Sequence, residues 1–170
     1  MLLIADGDTV DKTGRKEKLE AALSSNLLIL ACKEIENTLP QESIIRVAKQ
    51  RFSRMKSVTK EGFDINELDS ELADNYFYHE HIGIGKLLDE AIKLNKETEK
   101  CAFSDGSGVG TVKSKLAFCR DILNDLDEHH DWKLTEEAKN ICEKVFHHIE
   151  HNNILKYLVE IHLPLTQAPS

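Results

Sequence analysis

The sequence predicts an all-α fold, a single-domain bundle of six or seven amphipathic helices. Three observations carry that expectation. Apolar residues recur at three-to-five-residue spacing through most of the chain, the period of a helix with one buried face. Only Pro40, Pro164 and Pro169 occur, and none falls inside an apolar-periodic segment. No stretch alternates apolar and polar residues for long enough to make a sheet. Met1–Ala5 fits a short N-terminal strand or extended arm, but a lone strand has nothing to pair with.

The first helix is expected from about Lys16 to Asn37, with Leu19, Leu23, Leu27, Leu30 and Ile35 on its stripe and Asn37, ahead of Pro40, at its end. Pro40 suits the first turn of a second helix, because its missing N–H would be unpaired there anyway. That helix runs to about Ser57 on Ile44, Ile45, Ala48, Phe52 and Met55. Asp64 and Glu67 form a D-x-x-E capping box for a third helix carrying Ile65, Leu68, Leu72 and Tyr76. Gly83 and Gly85 bend the chain before a fourth, built on Leu87, Leu88, Ala91 and Ile92. The glycine-rich stretch Phe103–Gly110 reads as the main flexible loop. Val112, Leu116, Cys119, Leu123 and Leu126 then make the stripe of a fifth helix.

Thr135 is a plausible N-cap for a sixth helix, with Glu136 and Glu137 at its positive end and Ala138, Ile141, Cys142, Val145 and Ile149 facing the core. Asn152 and Asn153 separate it from a short last helix (Ile154, Leu155, Leu158, Val159) that stops before Pro164. Residues 1–170 are expected to form one helical domain; a division into two subdomains would fall near 101–110.

Composition narrows the class. With 41% hydrophobic and 31% charged residues over 170 positions, the chain is neither disordered in composition nor a membrane span. Its longest apolar run, Leu27–Cys32, falls far short of the ~20 residues that cross a bilayer. The first residues lack a basic segment followed by an apolar one, so no secretory signal is visible. Cys32, Cys101, Cys119 and Cys142 are widely spaced and read as reduced thiols of a cytoplasmic protein, without zinc-ribbon or thioredoxin spacing. Export by a route without a recognisable signal stays open.

Charge is distributed unevenly. Residues 1–60 hold 11 Lys and Arg against 8 acids, and residues 61–170 hold 11 against 22. The net charge of −8 argues against a chain-wide nucleic-acid binder, though one local patch stands out. Arg46, Lys49, Arg51, Arg54, Lys56 and Lys60 occur between Ser43 and Lys60 with no acid among them.

Chemical motifs fail on inspection. In Ser104–Ser114 Val112 stands before Lys113, where a phosphate loop needs Gly, and no strand precedes it; His81–Lys86 fails likewise. Asp6-Gly7-Asp8 opens an imitation of a calcium loop that ends at Glu17, but Val10 offers no side-chain oxygen and Asp11 replaces the turn glycine. His147, Glu150 and His151 match the H-x-x-E-H order of a zinc site. Their helix projects His147 and His151 about 180° and 220° from Ala138, toward solvent. Asp125, Asp127, Glu128, His129, His130 and Asp131 form a second polar cluster, locally unfavourable at a helix C-terminus. No catalytic residue, cofactor or small-molecule substrate is implied.

Two features suggest a surface. The basic helix would present Arg46, Arg51 and Arg54 to an acidic partner, an anionic membrane or phosphates, although its own fold could equally supply the acids. Tyr76-Phe77-Tyr78 spans about 200° of a helix, more than one core face accepts, so a ring is expected at the rim beside His79 and His81. The sequence thus favours a non-catalytic interaction or regulatory protein binding a protein partner or itself through Tyr76, Tyr78, His79, His81 and the three arginines. The rivals are a metal-binding helical protein using His147, Glu150 and His151, and an anionic-surface binder using residues 43–60.

Overall fold

A computed structural model describes the backbone of residues 1–7, 14–95 and 99–161, with side chains as far as residue 152. The fold is mostly helical with one short sheet. Its elements are β1 (Leu3–Ala5), α1 (Arg15–Leu23), β2 (Leu27–Ile29), α2 (Gln41–Ser53), α3 (Ser57–Lys60), α4 (Ile84–Ile92), α5 (Lys115–Glu128) and α6 (Glu136–Ile161). Among the described residues no helix is long and apolar enough to cross a membrane.

The N-terminal third departs from the all-α expectation. β1 and β2 pair in parallel, in register Leu3↔Leu27, Ile4↔Leu28 and Ala5↔Ile29. Parallel neighbours need a crossover, and α1 lies in it. The helix expected from Lys16 to Asn37 therefore ends at Leu23. Ser24 takes a left-handed φ of 46° and the chain tightens into a 3₁₀ turn at Ser24–Asn26. A short apolar run after turn residues suits a buried strand as well as a helix, and the N-terminal arm supplies the partner that decides it.

The core lies among α2, α4, α5 and the loops around them. α2 buries Ile44, Val47, Ala48 and Phe52, close to the expected stripe. α4 buries Ile84, Leu87, Leu88 and Ile92. The third helix is corrected to a 3₁₀ turn, Ile65–Asp69: Asp64 caps it by accepting the Asn66 N–H at 2.9 Å, but nothing propagates it. Residues 70–83 are irregular, and Phe77 within them is almost fully buried.

The glycine-rich stretch is tied down at its base. The buried Asp89 carboxylate accepts the backbone N–H groups of Ala102, Phe103 and Ser104 at 2.8, 2.7 and 3.0 Å. Ser104 bridges to Val112, and the Asp105 N–H donates to the Thr111 carbonyl at 2.9 Å. Phe103 and Val112 belong to the same core cluster as α2 and α4.

α5 is turned from its expected orientation. It buries Phe118, Ile122 and Asp125, while Leu116 and Leu123 stand 76% and 62% exposed. Two apolar stripes compete on this helix, and ion pairs from α2 choose between them. Arg46 Nε and Nη2 donate to the two Asp125 oxygens at 2.9 and 2.8 Å, and Arg51 Nη1 donates to Asp121 at 2.8 Å. The Arg51 guanidinium also lies 5.6 Å from the centre of the Phe118 ring.

α6 starts at the expected cap, where Thr135 Oγ1 accepts the Ala138 N–H at 3.1 Å. It continues through Asn152 and Asn153 without the expected break. The expected buried face is corrected too. Ala138, Ile141 and Val145 are half-buried, whereas Cys142 and Ile149 are exposed, because little of the described chain packs over the helix.

Candidate functional site

The residues singled out from sequence are dispersed. Tyr76 is half-buried: its hydroxyl donates to the Leu87 carbonyl at 3.3 Å and its ring meets Phe77 edge-on at 5.2 Å. Tyr78, half-buried, borders a cleft of about 850 Å³ shared with Gln41, Asp74, Lys133 and Glu137. His79 Nδ1 accepts the N–H groups of His81 and Ile82 at 3.0 and 3.1 Å, closing a turn, and His81 is exposed beside Glu80.

The basic helix turns much of its charge inward. Arg46 also pairs with Asp131 at 3.0 Å, Lys49 pairs with Asp69, and Arg54 is exposed. Burial opposes ionisation of Asp125, but hydrogen bonds from Arg46 and Ser43 prevail and hold its carboxyl below the usual range. His147, Glu150 and His151 are exposed on α6, with the two imidazole centroids 6.3 Å apart. Among the described residues, no group of three or more His, Cys, Asp or Glu side chains is placed to hold a metal ion.

A different constellation forms where the chain leaves the C-terminal ends of β1 and β2. The two exits stay side by side: the Gly7 N–H donates to the Cys32 carbonyl at 3.0 Å, and Asp6 Oδ1 accepts the Ile35 N–H at 3.1 Å. Gly7 is required here because a Cβ would lie 2.2 Å from the Cys32 carbonyl oxygen. Cys32 and Glu34 follow β2 in a bent segment, and Glu36 lies in the 3₁₀ turn over Ile35–Thr38 that continues it. Asn37, 1% exposed, braces it by donating to the carbonyls of Phe77 and Ile82 at 2.7 and 3.1 Å.

The two acids point inward. Glu34 is 8% and Glu36 4% exposed. Thr111 Oγ1 donates to Glu34 Oε1 at 2.7 Å, while Glu34 Oε2 is buried with no hydrogen-bond donor among the described residues. Lys115 Nζ lies 2.8 Å from Glu36 Oε2, an ion pair off the hydrogen-bonding angle. Burial pulls the Lys115 pKa down, but Glu36, Glu34 and Asp6 together more than offset this and leave it raised. Gly83, Gly85 and Gly110 bring the backbone of the glycine-rich loop against α4 beside Glu34; a Cβ on Gly83 would lie 2.7 Å from the Gly110 carbonyl oxygen and 3.1 Å from Glu34 Oε2.

Chemically, this cluster concentrates carboxylate around the Lys115 ammonium. Its thiol is poorly suited to nucleophilic attack: burial, then the charges of Glu137, Asp6 and Glu36, push Cys32 up to about 12. Sequence reasoning passed over these residues because Lys33–Asn37 was absorbed into an expected helix. The available signal is two acids flanking one apolar residue, one lysine after an apolar run and ahead of Pro40. Compared with known protein families, curated proteins and solved structures, the chain finds no match.

Proposed function

We propose that the carboxylate cluster at the C-terminal edge of the β1–β2 pair binds a hydrated divalent cation of the magnesium class and, through it, a phosphate-bearing ligand. The observation that carries this reading is Glu34 Oε2, a carboxylate oxygen out of solvent with no hydrogen-bond donor among the described residues, next to a second buried carboxylate. Burying a carboxylate oxygen without a hydrogen-bond donor is costly, so such a group marks a place where further positive charge would be stabilised. Magnesium keeps several waters and takes only one or two carboxylates, so it does not need a closed cage. Glu34 and Glu36 would supply them, and Asp6 would hold outer waters. Ligands of parallel α/β units sit beyond the carboxyl ends of the strands, as this cluster does. In the ion's absence Lys115 provides part of the positive charge; with the ion bound it is free to meet an anionic oxygen.

Calorimetric titration with magnesium and manganese tests the reading. Binding to wild type should be lost in Glu34→Gln and Glu36→Gln, and inorganic pyrophosphate should bind only with the metal present. Equal metal affinity in all three proteins would refute it.

A second reading, a protein-interaction module, is favoured by uncovered apolar residues on two helices. Leu116 and Leu123 protrude from α5, and Phe146 (65% exposed) and Ile149 (49%) from α6. In this reading Arg54, His81 and the rim of Tyr78 remain available as contacts, while Arg46 and Arg51 serve mainly to orient α5. Alanine substitution of Tyr78 and Arg54 should weaken association with little change in helical circular dichroism; unchanged association removes those two residues from the interface.

A further inference from the structure

We infer that Thr111 sets the metal preference of the carboxylate cluster: by engaging one oxygen of Glu34 it favours magnesium and manganese over calcium. This rests on the reading of the cluster as a divalent-cation site and names a residue that tunes it.

The fold delivers the Thr111 hydroxyl from a backbone braced on both sides. Ser104 and Val112 pair as an antiparallel bridge. On either side of it the Asp105 N–H donates to the Thr111 carbonyl at 2.9 Å and the Lys113 N–H to the Phe103 carbonyl at 2.7 Å. Asp89 fixes the opposite segment through the amides of Ala102, Phe103 and Ser104. Successive side chains of an extended chain point to opposite sides, so burying Val112, 3% exposed, turns Thr111 the other way. Gly85 lets this backbone come close, since a Cβ there would lie 2.7 Å from the Thr111 carbonyl oxygen. The hydroxyl thereby reaches Glu34 Oε1, 77 residues away in sequence, at 2.7 Å.

A carboxylate meets a cation through one oxygen or through two, and the two ions differ in which they accept. Calcium takes roughly six to eight oxygens in a flexible shell and readily binds a carboxylate by both. Magnesium demands a small, near-ideal octahedron whose neighbouring ligands stand farther apart than the two oxygens of one carboxylate, so it takes one oxygen and keeps its waters. With Oε1 engaged by Thr111, Glu34 offers Oε2, which has no hydrogen-bond donor among the described residues. Glu36 is divided in the same way: the Cys119 thiol donates to its Oε1 at 3.7 Å, and Lys115 Nζ lies 2.8 Å from its Oε2. Single oxygens from two carboxylates, completed by water, suit the smaller ion. Removing the Thr111 hydroxyl frees Glu34 to chelate with both oxygens, which benefits the ion that accepts both. Outer hydrogen bonds of this kind orient ligating carboxylates and tune the metal they hold.

Calorimetric titration with magnesium and, separately, with calcium tests this in wild type, Thr111→Val and Thr111→Ser. Valine keeps the branched shape and removes the donor; serine keeps the donor. Wild type should bind magnesium the more tightly. Thr111→Val should shift the ratio of calcium to magnesium affinity by about tenfold or more toward calcium, and Thr111→Ser should stay within about threefold of wild type. A structural role alone would weaken both ions alike and leave the ratio unmoved. An unmoved ratio in Thr111→Val, or a serine variant shifted as far as the valine one, overturns the inference while leaving the cation reading standing. A wild type that binds neither ion overturns both. Should Thr111→Val fail to fold, Thr111→Ala carries the same expectation, and an unmoved ratio there overturns the inference.

Discussion

Replacing Glu34 by glutamine should change stability in opposite directions with and without a divalent ion. In the absence of metal, Glu34 Oε2 is buried with no hydrogen-bond donor among the described residues, while Oε1 keeps the Thr111 hydroxyl. Glutamine retains an oxygen for Thr111 and puts a neutral NH₂ where the buried charged oxygen stood, so the burial of a charge is exchanged for that of a neutral polar group. Leaving a buried neutral polar group unsatisfied costs about 1–3 kcal/mol and a charged one more, and that difference favours the variant. The variant should therefore unfold later in EDTA, by roughly 2–4 °C for each kcal/mol in a chain of this size. With magnesium at about one hundred times its dissociation constant, wild type should gain about 2.7 kcal/mol and the variant almost nothing, which brings the two together or reverses their order. Thermal unfolding by circular dichroism in EDTA and in magnesium measures both limbs. A variant less stable than wild type in EDTA would show that the carboxylate serves folding, and an equal magnesium response in both would place the ion elsewhere.

Other consequences follow from individual contacts. Asp89→Asn keeps one oxygen for the Ala102 and Phe103 amides but sets an NH₂ against the Ser104 N–H. It should cost about 2–4 kcal/mol in urea unfolding and expose those amides to hydrogen exchange; a cost under about 0.5 kcal/mol would contradict the role given to Asp89. Because the Asp125 carboxyl is held below its ordinary value, its contribution is fully present above the unfolded value near pH 4 and is lost as pH falls through the folded one. The stability advantage of wild type over Asp125→Asn should accordingly be flat from pH 5 to 8 and shrink below pH 4. With a disulfide reagent at pH 8, exposed Cys142 should label rapidly and Cys32 only on unfolding, since its thiol is buried and pushed up to about 12.

Much of the architecture could be read from local pattern where one signal acted alone. α2 had Pro40 at its start and one apolar face, and Thr135 capped α6 as its position suggested. The misreadings arose where two patterns fitted the same residues. Leu27–Ile29 satisfied both helix and strand, and the decision came from a strand more than twenty positions away. On α5 the residues Leu116 and Leu123 made as good a stripe as Phe118 and Ile122; the choice rested on Arg46 and Arg51, whose partners lie 79 and 70 residues distant. The same arginines illustrate why the expected interaction surface was hard to place. A run of cations without acids looks like an outward-facing patch until tertiary structure brings the acids to it. The cluster itself was hidden for a related reason: Glu34 and Glu36 become neighbours of Asp6 and Lys115 only after β1 and β2 pair.

The Asn37 brace sets an order of events for that cluster. Its two acceptors lie 40 and 45 residues along the chain, so the turn bearing Glu34 and Glu36 gains its support only after the segment around Phe77–Ile82 has docked. Local turns close early and distant contacts late. The carboxylate turn should therefore be among the last parts to gain protection during refolding and among the first to open on gentle warming, ahead of α2 and α4. Pulse-labelling of the Asn37 amide during refolding would show whether the cradle is finished after the rest of the fold.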